Sequence, residues 1–129
     1  MKFILFFPLL FLEPASIDVW QSCLKGEDAI VKKCIKNDIT LIRAQNKDGK
    51  TLLHLAVESG NSKTVRFLLS NGANVNAADG RLFTPLVSAC DFGYIDIAKL
   101  LIKNWANVNA RASNGVTPMH MSCRGGYLK

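Results

Sequence analysis

Apolar residues recur along this chain as paired short helical runs, each pair divided by a glycine and followed by a polar connection. Leu52, Leu53, Ala56 and Val57 fall on one face of a 3.6-residue period, and Gly60 ends that run. Val65, Leu68 and Leu69 form the next face, and Gly72 follows where a helix turns left-handed. The same plan returns downstream, with Ile95, Ile97, Ala98, Leu100, Leu101 and Ile102 in the second run. Upstream, Ile17, Trp20, Cys23 and Leu24 have helical spacing, Gly26 interrupts them, and Ala29, Ile30, Val31, Cys34 and Ile35 supply another face. The polar positions agree with these helices. Thr51 is placed to accept the amide hydrogen of His54, and Ser62 is expected to cap the second run. Asp28 and Asp96 lie near helix starts, while Lys36, Lys99 and Lys103 lie near helix ends, as the helix dipole favours.

The pattern is a repeat. Thr51, Thr84 and Thr117 recur at intervals of 33, as do Gly60, Gly93 and Gly126, and Asn74-Val75-Asn76 returns as Asn107-Val108-Asn109. A shift of 34 lays Trp20 over His54, Gly26 over Gly60 and Val31 over Val65, which identifies a degenerate first copy. Residues 17–48, 49–81 and 82–114 are thus read as three units and 115–129 as a truncated fourth. A fixed period of this length marks a stack in which each unit buries its apolar face on its neighbours, and about three units are needed for stability.

Composition changes this picture little. A chain that is 49% hydrophobic and 20% charged is ordinary globular material. The net charge of +6 comes from 16 cationic residues against 10 acidic ones, spread along the chain without interleaved aromatics. That pattern argues against specific nucleic-acid recognition. Residues 3–12 are continuously apolar, too few to span a bilayer, so no transmembrane span is expected. With Lys2 ahead of them, residues 1–16 suit a secretory signal peptide, an anchoring segment, a stretch docked on the first helices, or a misplaced translation start. The cleavage site is poor, because Glu13 or Pro14 stands where a small residue belongs. The cysteines, expected as buried thiols, favour a reducing compartment. A cytoplasmic or nuclear location is expected, and a secreted one if the leader is genuine.

The stretch from Gly49 through Thr51, Leu53, His54 and Ala56, with the closing Gly60, the Leu68-Leu69 pair and Gly72-Ala73-Asn74-Val75-Asn76, resembles the ankyrin repeat family. The resemblance covers about residues 17–129 and implies an all-α solenoid of stacked helix-turn-helix units with projecting loops. It further implies a non-enzymatic, monomeric module that binds another protein, with no cofactor and no small-molecule ligand. Alternatives are a regulatory segment of a larger enzyme or channel, and an exported effector or toxin component. The family's contact positions, the loop tips and the exposed side of each first helix, fall here on Lys47, Asp48, Lys50, Glu58 and Ser59. In the next unit they are Gly80, Arg81, Phe83, Asp91 and Phe92, and in the last Ser113, Asn114, Val116, Arg124 and Gly125.

Departures from the pattern are informative. Leu82 replaces the tip glycine present as Gly49 and Gly115, and Phe83 follows it. These residues either fold back on a neighbouring loop or, with Phe92, anchor a partner. Trp105 stands in the place of Gly72; Asn104 is expected to take the left-handed conformation and Trp105 to be buried across the next unit. Cys23, Cys90 and Cys123 occupy one helix column, where neighbours about 8–10 Å apart are poorly placed for a disulfide. No spacing suggests a zinc site. His54 and His120 share one motif position, occupied by Val87 in the middle unit, and are read as loop braces.

Overall fold

The computed structural model describes residues 14–119, with side chains from residue 19 onward. Among the described residues, six helices pair in sequence: α1 (Pro14–Lys25) with α2 (Asp28–Asn37), α3 (Leu52–Ser59) with α4 (Ser62–Ser70), and α5 (Pro85–Phe92) with α6 (Ile95–Lys103). A short 3-10 turn, Ile39–Arg43, follows α2. The first helices stack on one another, α1 on α3 and α3 on α5, while α2, α4 and α6 form a parallel second layer. This is the all-α helix-turn-helix solenoid that the resemblance implies.

Position in the stack decides how much of each helix is apolar. Every residue of α3 from Leu52 to Val57 is buried, because α1, α4 and α5 all pack against it. The core runs continuously from Val19 and Val31 in the first unit, through Leu53 and Leu68, to Leu86 and Leu101 in the third.

Helix ends are set by side chains at recurring positions. The Thr51 hydroxyl accepts from the His54 amide at 3.4 Å, and Thr84 does the same for Val87 at 3.3 Å. Gly60 and Gly93 close α3 and α5 with φ of 77° and 76°. Asn61, rather than Ser62, caps α4: its carbonyl accepts from the amides of Lys63 at 3.0 Å and Thr64 at 3.4 Å. The Asn61 amide group meanwhile donates to the Gly26 carbonyl at 2.8 Å, so one side chain starts a helix and ties two units together. Ser62 is instead the first residue of α4.

Trp105 overturns its expectation. It takes the left-handed conformation itself, with φ 71°, and is 88% exposed, while Asn104 stays at φ −99°. The cause is the hydrogen-bond pattern that closes α6. Trp105 N–H donates to Ile102 and Ala106 N–H to Leu101, as Gly72 and Ala73 do to Leu69 and Leu68 one unit earlier. Such a closure needs a left-handed residue at the site of Gly72 and Trp105. Asn104 is held as the cap by its own amide, which donates to Leu100 O at 2.8 Å.

Thr64 is 1% exposed, and its hydroxyl has no hydrogen-bond partner. Thr64→Val keeps the shape and removes an unsatisfied polar group, so it is expected to raise the unfolding free energy by about 1 kcal/mol. Chemical denaturation checks this, and a loss of similar size would contradict it.

Candidate protein-binding surface

Among the described residues, three projecting turns are built from the chain leading to Thr51, Thr84 and Thr117. In the first, the Asn46 side chain accepts from the amides of Asp48 at 2.9 Å and Lys50 at 3.0 Å. In the second, Asp79 performs the same task for Arg81 at 2.8 Å and Phe83 at 2.9 Å. The equivalent in the third is Ala112, which has no side-chain acceptor, and Asn114 supports the Val116 amide instead at 3.1 Å. The turns are joined to one another. Gly80 N–H donates to Asp48 O at 3.0 Å, and Ser113 N–H donates to Arg81 O at 2.9 Å.

His54 fixes the second turn from below. Thr51 N–H donates to its Nδ1 at 3.1 Å, which places the proton on Nε2, and Nε2 donates to Phe83 O at 2.8 Å. The imidazole is wholly buried, and that burial pushes its pKa below the ordinary histidine value. The sign follows by linkage. Between the lowered folded value and the unfolded value of about 6.5, the unfolded chain takes up a proton that the folded chain refuses. The stability contributed by neutral His54 is therefore complete above about pH 6.5 and declines as pH falls below it. Thermal melts from neutral to mildly acidic pH are expected to show this decline; His54→Val should remove that component of it.

The expected contact residues fall into distinct situations. Lys47 and Asp48 are exposed on the first turn. Lys50 and Glu58 are paired with each other at 2.7 Å and are both partly buried. Arg81 is exposed, with its guanidinium 4.7 Å from the centre of the half-buried Phe83 ring. Leu82 is 51% exposed in the left-handed region at φ 61°, the conformation Gly49 and Gly115 adopt at the same place. Asp91 is exposed, Val116 is half-buried, and Arg124 lies outside the described residues. Phe92 is 47% exposed and stacks on Tyr94 with ring centres 5.5 Å apart.

The Lys50–Glu58 pair shows that the turn reaches along the first helix, so turn and helix side form one surface. One unit later the same two positions hold Phe83 and Asp91, and Arg81 covers the aromatic ring in place of an ion pair. The surface thus changes from paired charge to apolar and aromatic in the middle unit. Asn46 and Asp79, which shape the turns, were missed as functional supports. The signal available was an Asn or Asp two residues before the amide it accepts from.

The His54 and Cys23 side chains hold the backbone in place. Both His54 nitrogens are engaged by the backbone. The Cys23 thiol donates to Leu52 O at 3.1 Å, and burial pushes its pKa up to about 12. Cys90 is a half-buried free thiol whose unit carries Val87 in place of histidine; Cys123 and His120 lie outside the described residues. Among the described residues, no cluster of His, Cys, Asp and Glu could hold a metal ion.

Paired helices, a shared period and a row of linked turns define a repeat scaffold of the protein-interaction type. Residues 19–79 match the family model for ankyrin repeats in three copies, and residues 68–121 match the one for many copies. The chain belongs to the ankyrin repeat family. It is 33% identical over 76 residues to a transient receptor potential cation channel subfamily A member 1 homolog of Caenorhabditis elegans, covering 59% of this chain and 6% of the channel. It is 38% identical over 74 residues to the serine/threonine-protein kinase VIK of Arabidopsis thaliana, covering 57% of this chain and 17% of the kinase. With human protein phosphatase 1 regulatory subunit 27 it shares 41% identity over 75 residues, 58% of this chain and 49% of that protein. The matched segment is a minor part of the channel and of the kinase.

Proposed function

We propose that this chain binds another protein through its turns and the exposed side of its first helices, as a module that carries out no chemistry itself. The observation that carries this reading is Leu82. A leucine held left-handed costs about 1–2 kcal/mol and here remains half exposed. Strained backbone of that kind clusters at ligand clamps, switch regions and active sites. Arg81, Phe83 and Phe92 supply the aromatic and guanidinium groups that dominate interface energies. The hydrogen-bonded turns hold these groups in place before binding, which reduces the ordering cost.

Two substitutions separate binding from folding. Phe92→Ala is expected to weaken the partner at least tenfold, at a stability loss below about 1 kcal/mol. Leu82→Gly is expected to weaken it while raising thermal stability. Partner binding unchanged in both would overturn the assignment.

A second reading is a regulatory segment of a larger enzyme or channel. It is supported by relatives that include a cation channel and a protein kinase, of which the matched region is a small share. Sequencing the full transcript tests it: a catalytic or membrane domain downstream supports it, and a stop codon soon after Lys129 excludes it. Monomeric occupancy of the cytoplasm or nucleus accompanies both readings, supported by the free Cys23 and Cys90 thiols.

A further inference from the structure

The cations carried by the helices gather on the second layer. Helices α2, α4 and α6 carry Lys32, Lys33, Lys36, Lys63, Arg66, Lys99 and Lys103 against two acids, Asp28 and Asp96. Of the first helices, α1 carries one cation, Lys25, and one acid, Asp18, while α3 and α5 carry Glu58 and Asp91 and no cation. Aligning the units places Lys32, Arg66 and Lys99 at one position on successive second helices, each exposed. Packed helices lie about 8–10 Å apart, so this column presents a cation at about that interval. Lys36 and Lys103 flank it at a second shared position. Between α2 and α4, a shallow concavity is lined by Lys32, Lys63, Arg66, Phe67 and Ser70, with the Lys32 ammonium 5.7 Å from the Phe67 ring centre.

The only counter-charge paired on this face among the described residues is Asp28, 3.7 Å from Lys32. Apolar groups stand among the cations of α6: Ile95 and Ile102 are each nearly half exposed, and Trp105 projects just past the helix end. A peptide ligand would call for a cleft with fixed partners. Here charge is spread over three helices, with isolated apolar side chains and an indole at the margin. Such a surface matches an anionic headgroup layer, which attracts diffuse basic charge and takes up Trp at its boundary.

We infer that the second-helix face of this protein docks on anionic lipid membranes, leaving the turns and first helices free for a protein partner. The test is flotation of the full chain with phosphatidylcholine vesicles, with and without phosphatidylserine. Binding is expected only when phosphatidylserine is present, and it should fall as ionic strength rises. The K32Q/R66Q/K99Q variant is expected to bind about a hundredfold more weakly, at roughly a factor of five per basic residue. Should that variant melt early, K63Q/K103Q is expected to show about a twentyfold loss by the same factor. Lys25→Gln, on α1, should leave binding unchanged. In a Trp20→Phe background, the fluorescence of Trp105 should shift to the blue on phosphatidylserine vesicles. Equal binding to neutral vesicles, undiminished binding by the folded variants, or capture by poly-glutamate or DNA without vesicle binding would each overturn the inference.

Discussion

Exchange of His54 for alanine is expected to lower the unfolding free energy by about 2–4 kcal/mol. Two hydrogen bonds at about 1 kcal/mol each are lost, and a cavity opens at a position with no solvent exposure. The loss is local in origin and long in reach. His54 sits in the first turn of α3, yet its Nε2 proton ends on Phe83 of the following unit. Asp79 and Phe83 exchange backbone and side-chain hydrogen bonds around that same carbonyl, so removing the imidazole loosens the turn that carries Arg81 and Leu82. Urea denaturation gives the free energy, and amide exchange at residues 80–83 should accelerate together with it. A variant with wild-type stability would show that the brace contributes nothing.

Gly49→Ala is expected to be the second large loss, about 2–3 kcal/mol. Gly49 has φ +79°, where an added Cβ costs about 1–2 kcal/mol by conformation alone. A Cβ built there would lie 2.8 Å from the Gly80 amide nitrogen, which is backbone and cannot swing aside. That amide donates to Asp48 O, so the substitution also forces apart the contact joining the first two turns. Gly115 makes the instructive comparison. Its φ is +81° with open space around it, so Gly115→Ala should incur only the conformational part. Equal losses at the two positions would show that the close approach of Gly80 is not under strain.

What could be read in the sequence was what depends on near neighbours. Thr51 and Thr84 were legible as caps, and Gly60 and Gly93 as stops, because a cap and its amide are three residues apart. The 33-residue interval then ordered the units, since copies of one packing face must recur for the units to stack. Trp105 was misjudged for a physical reason. Its bulk argued for burial, but the backbone closure of α6 determines its conformation whatever side chain it bears. Ser62 was expected as the cap because serine suits that role, whereas Asn61 takes it while also bonding the Gly26 carbonyl of the preceding unit, a tie that local spacing does not reveal. The Lys50–Glu58 pair was invisible as a pair, since the two are joined only through a turn and most of a helix. The sorting of charge between layers required knowing which helices share a layer. Leu82 stood out at once, because glycine occupies that position in the other two turns.

The turns and first helices are proposed to bind another protein, with the middle unit dominant. The most direct test is titration of a partner, recovered from the source cell with the wild-type chain and then purified, against Leu82→Gly, with a melting curve taken alongside. Weaker binding together with a higher melting temperature is expected if the strained leucine serves the interface and not the fold. Unchanged affinity, or affinity lost only as the protein unfolds, would contradict it.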